Sequence, residues 1–249
     1  MAQQENVVDT IIKNGKIRVG MSSFLPWAFR DKEGEFVGFE IDVARELAKD
    51  MGVSLELVPT AWDGIIPSLI SGKFDVIIGG MSISPTRNLT VNFSDPYSTS
   101  GLELASNKKV AKGMKQIKDF DNAKVTIAIR RGGSAADVAK KLFPKAKVRS
   151  FDDEASLERE LINGNAHAII SSAPLPAFLQ YDNPKLIDRP IKEYLYKSEE
   201  GFVLRKGDFD SLNFFNNWIR VKKNSGWLQE KHQYWFETRK WANMLPKTN

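Results

Sequence analysis

Apolar residues alternate with polar ones in short runs of this chain, and elsewhere they recur every three or four positions. The short runs are typical of strands, and the longer period is typical of helices with one buried face. In the first third of the chain the two patterns follow one another, which predicts a parallel sheet with helices on both faces. In order, the elements are a strand at Lys16–Met21, a helix at 41–51, a strand at Ser54–Pro59, a helix at Ile65–Ile70 and a strand at 74–79.

The middle of the chain repeats this pattern as a second unit. Residues 93–105 form a long extended segment that leaves the first unit, and residues 192–205 return as a second extended segment. After the return, apolar positions at 212–219 and 227–235 predict two C-terminal helices. Between the two extended segments the predicted elements are a strand at 125–130, a helix at 136–142, a strand at 146–150, a helix at 154–163, a strand at 166–172 and a helix at 174–181.

Polar groups suited to an anion follow the third predicted strand. Ser84 and Pro85 are the residue types preferred at a helix cap and at a first helical position, so a helix begins here. Arg87 then falls in the first helical turn, where the helix dipole disfavours a cation. Together with Gly80 and Ser82, Arg87 forms a candidate site for a carboxylate, sulfonate or phosphate at the carboxyl end of the sheet.

Aromatic residues lie near the same strand ends. Phe24 and Trp27 flank a proline in the loop after the first strand, and Trp62 follows the second strand. Pockets for small molecules are commonly lined by such side chains with a few polar groups. The sequence leaves two interpretations open, a wall of a ligand site and a hydrophobic plug beneath the loop.

Two short motifs carry a family resemblance. Residues 80–87 have the sequence Gly-Met-Ser-Ile-Ser-Pro-Thr-Arg, and residues 93–97 have the sequence Phe-Ser-Asp-Pro-Tyr. The chain resembles the extracytoplasmic solute-binding proteins of family 3, the polar amino-acid class of ABC transporter receptors, from Ile17 to about Trp241. The resemblance implies a two-lobed, type II periplasmic binding protein of the α/β class. Its first lobe would comprise residues 1–100 and 200–249, and its inserted second lobe residues 101–199.

The resemblance also implies a ligand site. In the family an Arg at the position of Arg87 binds the ligand carboxylate. The resemblance places the rest of this carboxylate site at Gly80 and Ser82, with Ser134 at a helix start of the second lobe. Two hinge crossings, near 98–105 and 194–201, would allow the lobes to close around the ligand. The candidate ligand-binding residues are Phe24, Trp27, Trp62, Gly80, Ser82, Arg87, Arg131, Ser134, Ser172 and Glu200.

The chain departs from the family pattern at one charged position. The family has an Asp that binds the ligand's α-ammonium group, and Ser172 occupies that position here. A buried ammonium without a counter-charge costs several kcal/mol. The ligand classes left open are an organic anion held by Arg87 and Arg131, a betaine held by aromatic rings, and an atypical amino acid. Glu200 is a candidate for a compensating charge.

An enzyme is the alternative function. Within the family the chain looks closest to the periplasmic cyclohexadienyl (arogenate) dehydratases, whose general acid is a Glu. Leu175 occupies that position and has no proton to donate, and general acid catalysis contributes about 10²–10⁴-fold. We therefore expect a binding protein without dehydratase activity.

Composition excludes several other classes. The 249 residues include no Cys, and the two histidines, His167 and His232, are far apart, so no metal or other cofactor is expected. The net charge of +5 comes with scattered lysines, which favours a solvated basic surface over a nucleic-acid site. No apolar run is long enough to span a membrane, and no signal peptide is recognisable. We expect a mature periplasmic protein, a monomer, that binds a small molecule and an ABC permease.

Overall fold

The computed structural model describes residues 6–246, and the chain divides into two compact units. The first unit contains the chain up to Thr99 and from Glu199 onward, and the second contains Ser100–Ser198. Among residues 6–246, none of the helices is both long and apolar enough to cross a bilayer.

The elements alternate along the chain as the apolar pattern predicts. The strands are β1 (Lys16–Met21), β2 (Phe29–Arg30), β3 (Phe36–Val37), β4 (Ser54–Pro59), β5 (Val76–Ile77), β6 (Asn92–Asn107), β7 (Thr126–Arg130), β8 (Lys147–Phe151), β9 (Ala168–Ser172), β10 (Ile187–Asp188) and β11 (Tyr196–Leu204). The helices are α1 (Val7–Asn14), α2 (Phe39–Met51), α3 (Ile65–Ile70), α4 (Pro85–Asn88), α5 (Ile117–Phe120), α6 (Ala135–Leu142), α7 (Glu154–Ile162), α8 (Leu175–Asp182), α9 (Phe209–Asn224) and α10 (Trp227–His232).

The sheet of the first unit is centred on β1. Strand β1 is parallel to β4 on one side and to β5 on the other, and β11 is antiparallel to β5 through Val203 and Ile77. β5 is shorter than the strand predicted at 74–79, because the chain turns toward the Gly80 loop after two ladder residues. The carboxyl ends of β1, β4 and β5 therefore share one edge of this sheet.

The sheet of the second unit is centred on β9. Strand β9 lies between β6, which is antiparallel to it, and β7, which is parallel, and β8 continues the parallel order beyond β7. The inward-facing residues of β7 and β9 pack with the apolar face of α6 in one buried cluster. His167 lies just before β9 rather than within the strand. Its Nδ1 accepts a hydrogen bond from the Thr126 amide at 3.1 Å.

Helix α1 is an element that the sequence pattern did not predict. Asn6 caps it by accepting a hydrogen bond from the Asp9 amide, and Val7 and Ile11 are its buried residues. The amides at its start also donate to the side chains of Asp208 and Ser211 at the start of α9. Contacts between distant parts of the chain therefore stabilise this short helix.

Candidate functional site

The loop that follows β5 holds Arg87 in a defined position. Ser84 accepts a hydrogen bond from the Arg87 amide at 3.2 Å, and Pro85 is the first residue of α4, which confirms the predicted helix start. The Arg87 guanidinium donates through Nη1 to the Ser82 carbonyl oxygen at 2.9 Å. Both residues are partly exposed. The guanidinium is thereby fixed beside the backbone of Ser82 in the first unit.

Strand β11 holds the same loop through a β-bridge and two backbone hydrogen bonds. Ser82 and Glu200 form an antiparallel bridge. The Ile83 amide donates to the Glu199 carbonyl oxygen at 2.8 Å, and the Gly201 amide donates to the Met81 carbonyl oxygen at 3.2 Å. Glu200 is 1% exposed. A buried carboxylate-bearing residue thus lies directly across from the Ser82 position.

Gly80 occupies a position that only glycine fits. Its φ is +66°, and an added Cβ would lie 2.8 Å from the Trp27 ring. Its amide donates to the Tyr97 hydroxyl at 3.1 Å. The Tyr97 hydroxyl in turn contacts both carboxyl oxygens of Glu40, at 2.7 and 2.8 Å. The Gly80 amide is therefore engaged by Tyr97, and a buried network supports the loop from beneath.

This network contains acidic groups away from water. Glu40 is fully buried, and burial raises the pKa of its carboxyl well above the ordinary value, with nearby Glu200 raising it further. Burial also raises the pKa of the Tyr97 hydroxyl, and Glu40 adds to that shift. Sequence reasoning missed Glu40, and it quoted Tyr97 as the end of the motif at residues 93–97 without assigning it this role. The available signal was a carboxylate between Phe39 and Ile41, inside the apolar start of α2.

The three predicted aromatic residues are buried in the first unit. The rings of Phe24 and Trp27 stack at 5.4 Å. Trp27 is 1% exposed and also packs edge-on against Phe39 and Phe236. Trp62 is 6% exposed and belongs to a separate cluster around α3. Trp27 therefore forms part of the core beneath the Gly80 loop.

A buried charged cluster lies at the carboxyl ends of the parallel strands in the second unit. Arg130 ends β7 and contacts Glu154, the first residue of α7, with Nε and Oε1 3.5 Å apart. Ser171 of β9 donates to Glu154 Oε2 at 2.9 Å. Burial raises the pKa of Glu154 against the lowering effect of Arg130, and burial lowers the pKa of Arg130. Sequence reasoning missed this cluster, because its members are far apart in the chain.

The remaining predicted residues of the second unit lie around the same strand ends. Ser134 precedes α6, and within residues 6–246 its side chain makes no capping hydrogen bond. Ser172 ends β9, and the alternation of side chains along this strand places it on the face that packs against α6. Arg131 is exposed and pairs with Asp152 at 3.0 Å. Leu175 is 1% exposed at the start of α8.

One protein-family model matches most of this chain. The model of the bacterial extracellular solute-binding proteins, family 3, matches residues 17–238. The chain belongs to this family. The resemblance inferred from residues 80–87 and 93–97 is thereby confirmed, and so is the α/β fold class of type II periplasmic binding proteins.

Two solved structures and one further protein are similar to this chain over most of its length. A putative binding component of an ABC transporter from Wolinella succinogenes, complexed with lysine, is 41% identical, covers 92% of this chain and 98% of its own, and has a TM-score of 0.84. The ancestral amino acid-binding protein AncCDT-1, a precursor of cyclohexadienyl dehydratase, is 38% identical over 93% of this chain and 99% of its own, with a TM-score of 0.84. Cyclohexadienyl dehydratase from Pseudomonas aeruginosa is 26% identical over 95% of this chain and 88% of its own.

Replacing Tyr97 with phenylalanine tests the buried network of this family 3 protein. The change removes only the hydroxyl, so the Gly80 amide and the Glu40 carboxyl each lose the hydrogen bond that they make with it. We expect the free energy of unfolding to fall by about 1–3 kcal/mol in denaturant titrations. The matched control is Tyr196→Phe at an exposed site, where a change within about 0.5 kcal/mol is expected. An equal change in the free energy of unfolding for the two variants would contradict a stabilising role of the Tyr97 hydroxyl.

Proposed function

We propose that this protein is an extracytoplasmic receptor that binds a small solute bearing a carboxylate or sulfonate group and delivers it to an ABC transporter permease. The observation that carries the proposal is the Arg87 guanidinium held beside Ser82 at 2.9 Å. A guanidinium with an adjacent hydroxyl group binds a carboxylate through charge-assisted hydrogen bonds. Membership of a solute-binding family supports the same function.

The candidate groups of the two units are different. In the first unit Ser82 and Arg87 bind the anionic group, on a loop that Gly80 shapes and Trp27 supports, with the rings of Phe24 and Trp62 nearby. In the second unit the candidate polar groups lie at the ends of its own strands. These are Arg131, Ser134 and Ser172.

Within this class we propose that the ligand is an amino acid. The relatives include a structure complexed with lysine and an ancestral amino acid-binding protein. The ammonium group of an amino acid needs a counter-charge, which Ser172 cannot supply. We assign that role to Glu200, the residue bridged to Ser82. An organic anion and a betaine are the alternatives.

A thermal-shift screen tests the proposal. It compares amino acids, betaines, organic acids including prephenate, and sulfonates with the purified protein. A ligand at about 100 times its dissociation constant stabilises the folded state by about 2.7 kcal/mol, so an amino acid raises the melting temperature measurably. A response only to betaines would overturn the amino-acid assignment. A response only to compounds without an anionic group would overturn the receptor proposal itself.

We also propose that the protein is a binding protein and not a dehydratase. Leu175 occupies the position at which the resemblance places the general acid, and it is 1% exposed. A leucine can neither donate nor accept a proton, so that catalytic step has no group to perform it. A periplasmic location and a monomeric state are part of the same proposal.

Restoring a carboxylate at Ser172 changes the ligand preference. We expect Ser172→Asp to raise the affinity for an amino acid by about tenfold or more, because an opposite charge near the ammonium is worth about 1.4 kcal/mol or more. Isothermal titration calorimetry measures the change. The control is Ser150→Asp, which adds the same charge at an exposed position of β8. An equal gain in both variants would show a long-range charge effect and contradict the local assignment.

A further inference from the structure

The net positive charge of this protein comes from one of its two units. Residues 100–198 contain 18 Lys and Arg against 12 Asp and Glu, a net charge of +6. The rest of the chain contains 18 Lys and Arg against 19 Asp and Glu, a net charge of −1. A fold alone does not require such an imbalance, whereas binding to a charged partner makes use of it.

Within the second unit the lysines concentrate at one edge of the sheet. Strands β7, β8 and β9 begin at this edge, and β6 ends there, as the hydrogen bond from the Asn107 amide to the His167 carbonyl shows. Nine of the unit's 13 lysines lie in or beside the loops of this edge. They are the five lysines of residues 108–118, together with Lys124, Lys145, Lys147 and Lys185. We call this surface the lysine edge.

The lysine edge lies opposite the strand ends that carry the buried charged cluster. Arg130 and Ser171 are at or next to the carboxyl ends of β7 and β9, whereas the lysines flank the amino ends of the same strands. The concentrated positive charge is therefore remote, within this unit, from the residues assigned to the solute.

The turn at residues 108–118 presents its lysines on a rigid support. Asn107 is 1% exposed, and its side-chain amide donates to the Leu161 carbonyl oxygen at 2.8 Å. Its Oδ1 accepts a hydrogen bond from the Lys109 amide at 2.9 Å. At the other end, the Asp119 carboxylate accepts hydrogen bonds from the amides of Lys115 and Gln116. Asp119 therefore organises the turn.

Aliphatic side chains lie among these lysines. Val110 lies in the turn and Ile117 begins α5, and they are 38% and 39% exposed. Ile162, at the end of α7, is 38% exposed. Val110 lies close to this helix end, because a Cβ added to Gly164 would be 3.4 Å from its Cγ1. The surface therefore combines cationic side chains, two of which pair with Asp188 and Asp121, with exposed apolar ones.

We propose that the lysine edge docks the protein on a membrane surface rich in anionic lipids. Lysines at such a surface are attracted to the lipid headgroups, and exposed aliphatic side chains insert at the boundary of the acyl region. The composition favours lipid over an acidic protein. Protein interfaces are enriched in Arg and aromatic residues and depleted in Lys, and residues 108–118 contain five Lys and no Arg, Tyr, Trp or Phe.

Vesicle sedimentation tests this proposal without any solute. The full-length protein is mixed with vesicles of phosphatidylcholine alone, or of phosphatidylcholine and phosphatidylglycerol in roughly equal parts. We expect the protein to sediment only with the anionic vesicles. Raising the salt from about 0.1 M to about 1 M shortens the Debye length from about 10 Å to about 3 Å and releases the protein. Absence of binding to the anionic vesicles at low salt would overturn the proposal. This result is the one expected if the partner is an acidic protein.

Two matched variants localise the effect. One carries Lys109→Gln, Lys112→Gln and Lys118→Gln in the turn, and the control carries Lys32→Gln, Lys206→Gln and Lys240→Gln in the first unit, all at exposed positions. Each lysine contributes roughly a factor of five, so the turn variant is expected to lose on the order of 100-fold in partitioning while the control retains its binding. Thermal unfolding checks that both variants are folded. Equal losses in the two variants would mean that vesicle binding depends only on the net charge of the protein. That result would overturn the assignment to this edge.

Discussion

The Arg87→Ala variant loses the rise in melting temperature that an anionic solute produces in the unchanged protein. The guanidinium is fixed beside Ser82, so its loss removes the charge-assisted hydrogen bonds to the ligand's anionic group. Two hydrogen bonds to a charged group are together worth about 3 kcal/mol or more, so their loss weakens binding by about 10²-fold or more. At a ligand concentration that stabilises the unchanged protein by about 2.7 kcal/mol, the variant then gains only about 0.4 kcal/mol. Thermal shift and calorimetry measure both quantities.

The control for this prediction is Arg220→Ala. Arg220 lies on the exposed side of α9 in the same unit, where its guanidinium contacts Asn217. Its replacement removes one positive charge from the first unit but leaves the Ser82 loop intact. The ligand-induced shift should therefore be retained. A shift that survives Arg87→Ala would show that the anion binds elsewhere, and the proposed function would lose its main support.

The Trp27→Ala variant is expected to lose more stability than the Tyr97→Phe and Trp227→Ala variants. Trp27 is 1% exposed, stacks on Phe24 and packs edge-on against Phe39 and Phe236. Removing a buried tryptophan side chain costs about 3–5 kcal/mol, because a cavity remains where the ring was. Denaturant unfolding monitored by circular dichroism measures this loss. Solute affinity should fall as well, since the Trp27 ring lies directly beneath Gly80.

The control for this second prediction is Trp227→Ala. Trp227 is only partly buried at the start of α10, where Lys222 and Lys231 lie over its ring. Its replacement leaves a smaller cavity, so a clearly smaller loss of stability is expected. A loss at Trp27 no greater than that at Trp227 would mean that Trp27 does not anchor the core beneath the loop. Trp27 would then be better described as a wall of the ligand site.

Local signals in the sequence were sufficient for most elements of the fold. β1 and β4 have the predicted bounds, and α2 ends at Gly52 as predicted. Ser84 and Pro85 start α4 for the reason inferred from their side chains. These features depend on a few consecutive residues, namely strand alternation, helical periodicity and caps. The family motifs are equally local, which is why the sequence alone identified the family.

The supporting contacts were decided only by the tertiary structure. The contact between Glu40 and Tyr97 joins α2 to β6, and the contact between Arg130 and Glu154 joins β7 to α7. No periodicity in a sequence shows which polar residues from separate elements will meet in the core. The same reason applies to the burial of Trp27.

The sequence by itself therefore determined the α/β pattern and the family, and it made Arg87 the candidate anion-binding residue, because each of these depends on neighbouring positions in the chain. Only the tertiary structure decided that the Gly80 amide is held by Tyr97 and that most lysines of the second unit share one edge of its sheet. Both facts depend on strand order and register, which are set by packing between residues far apart in the chain.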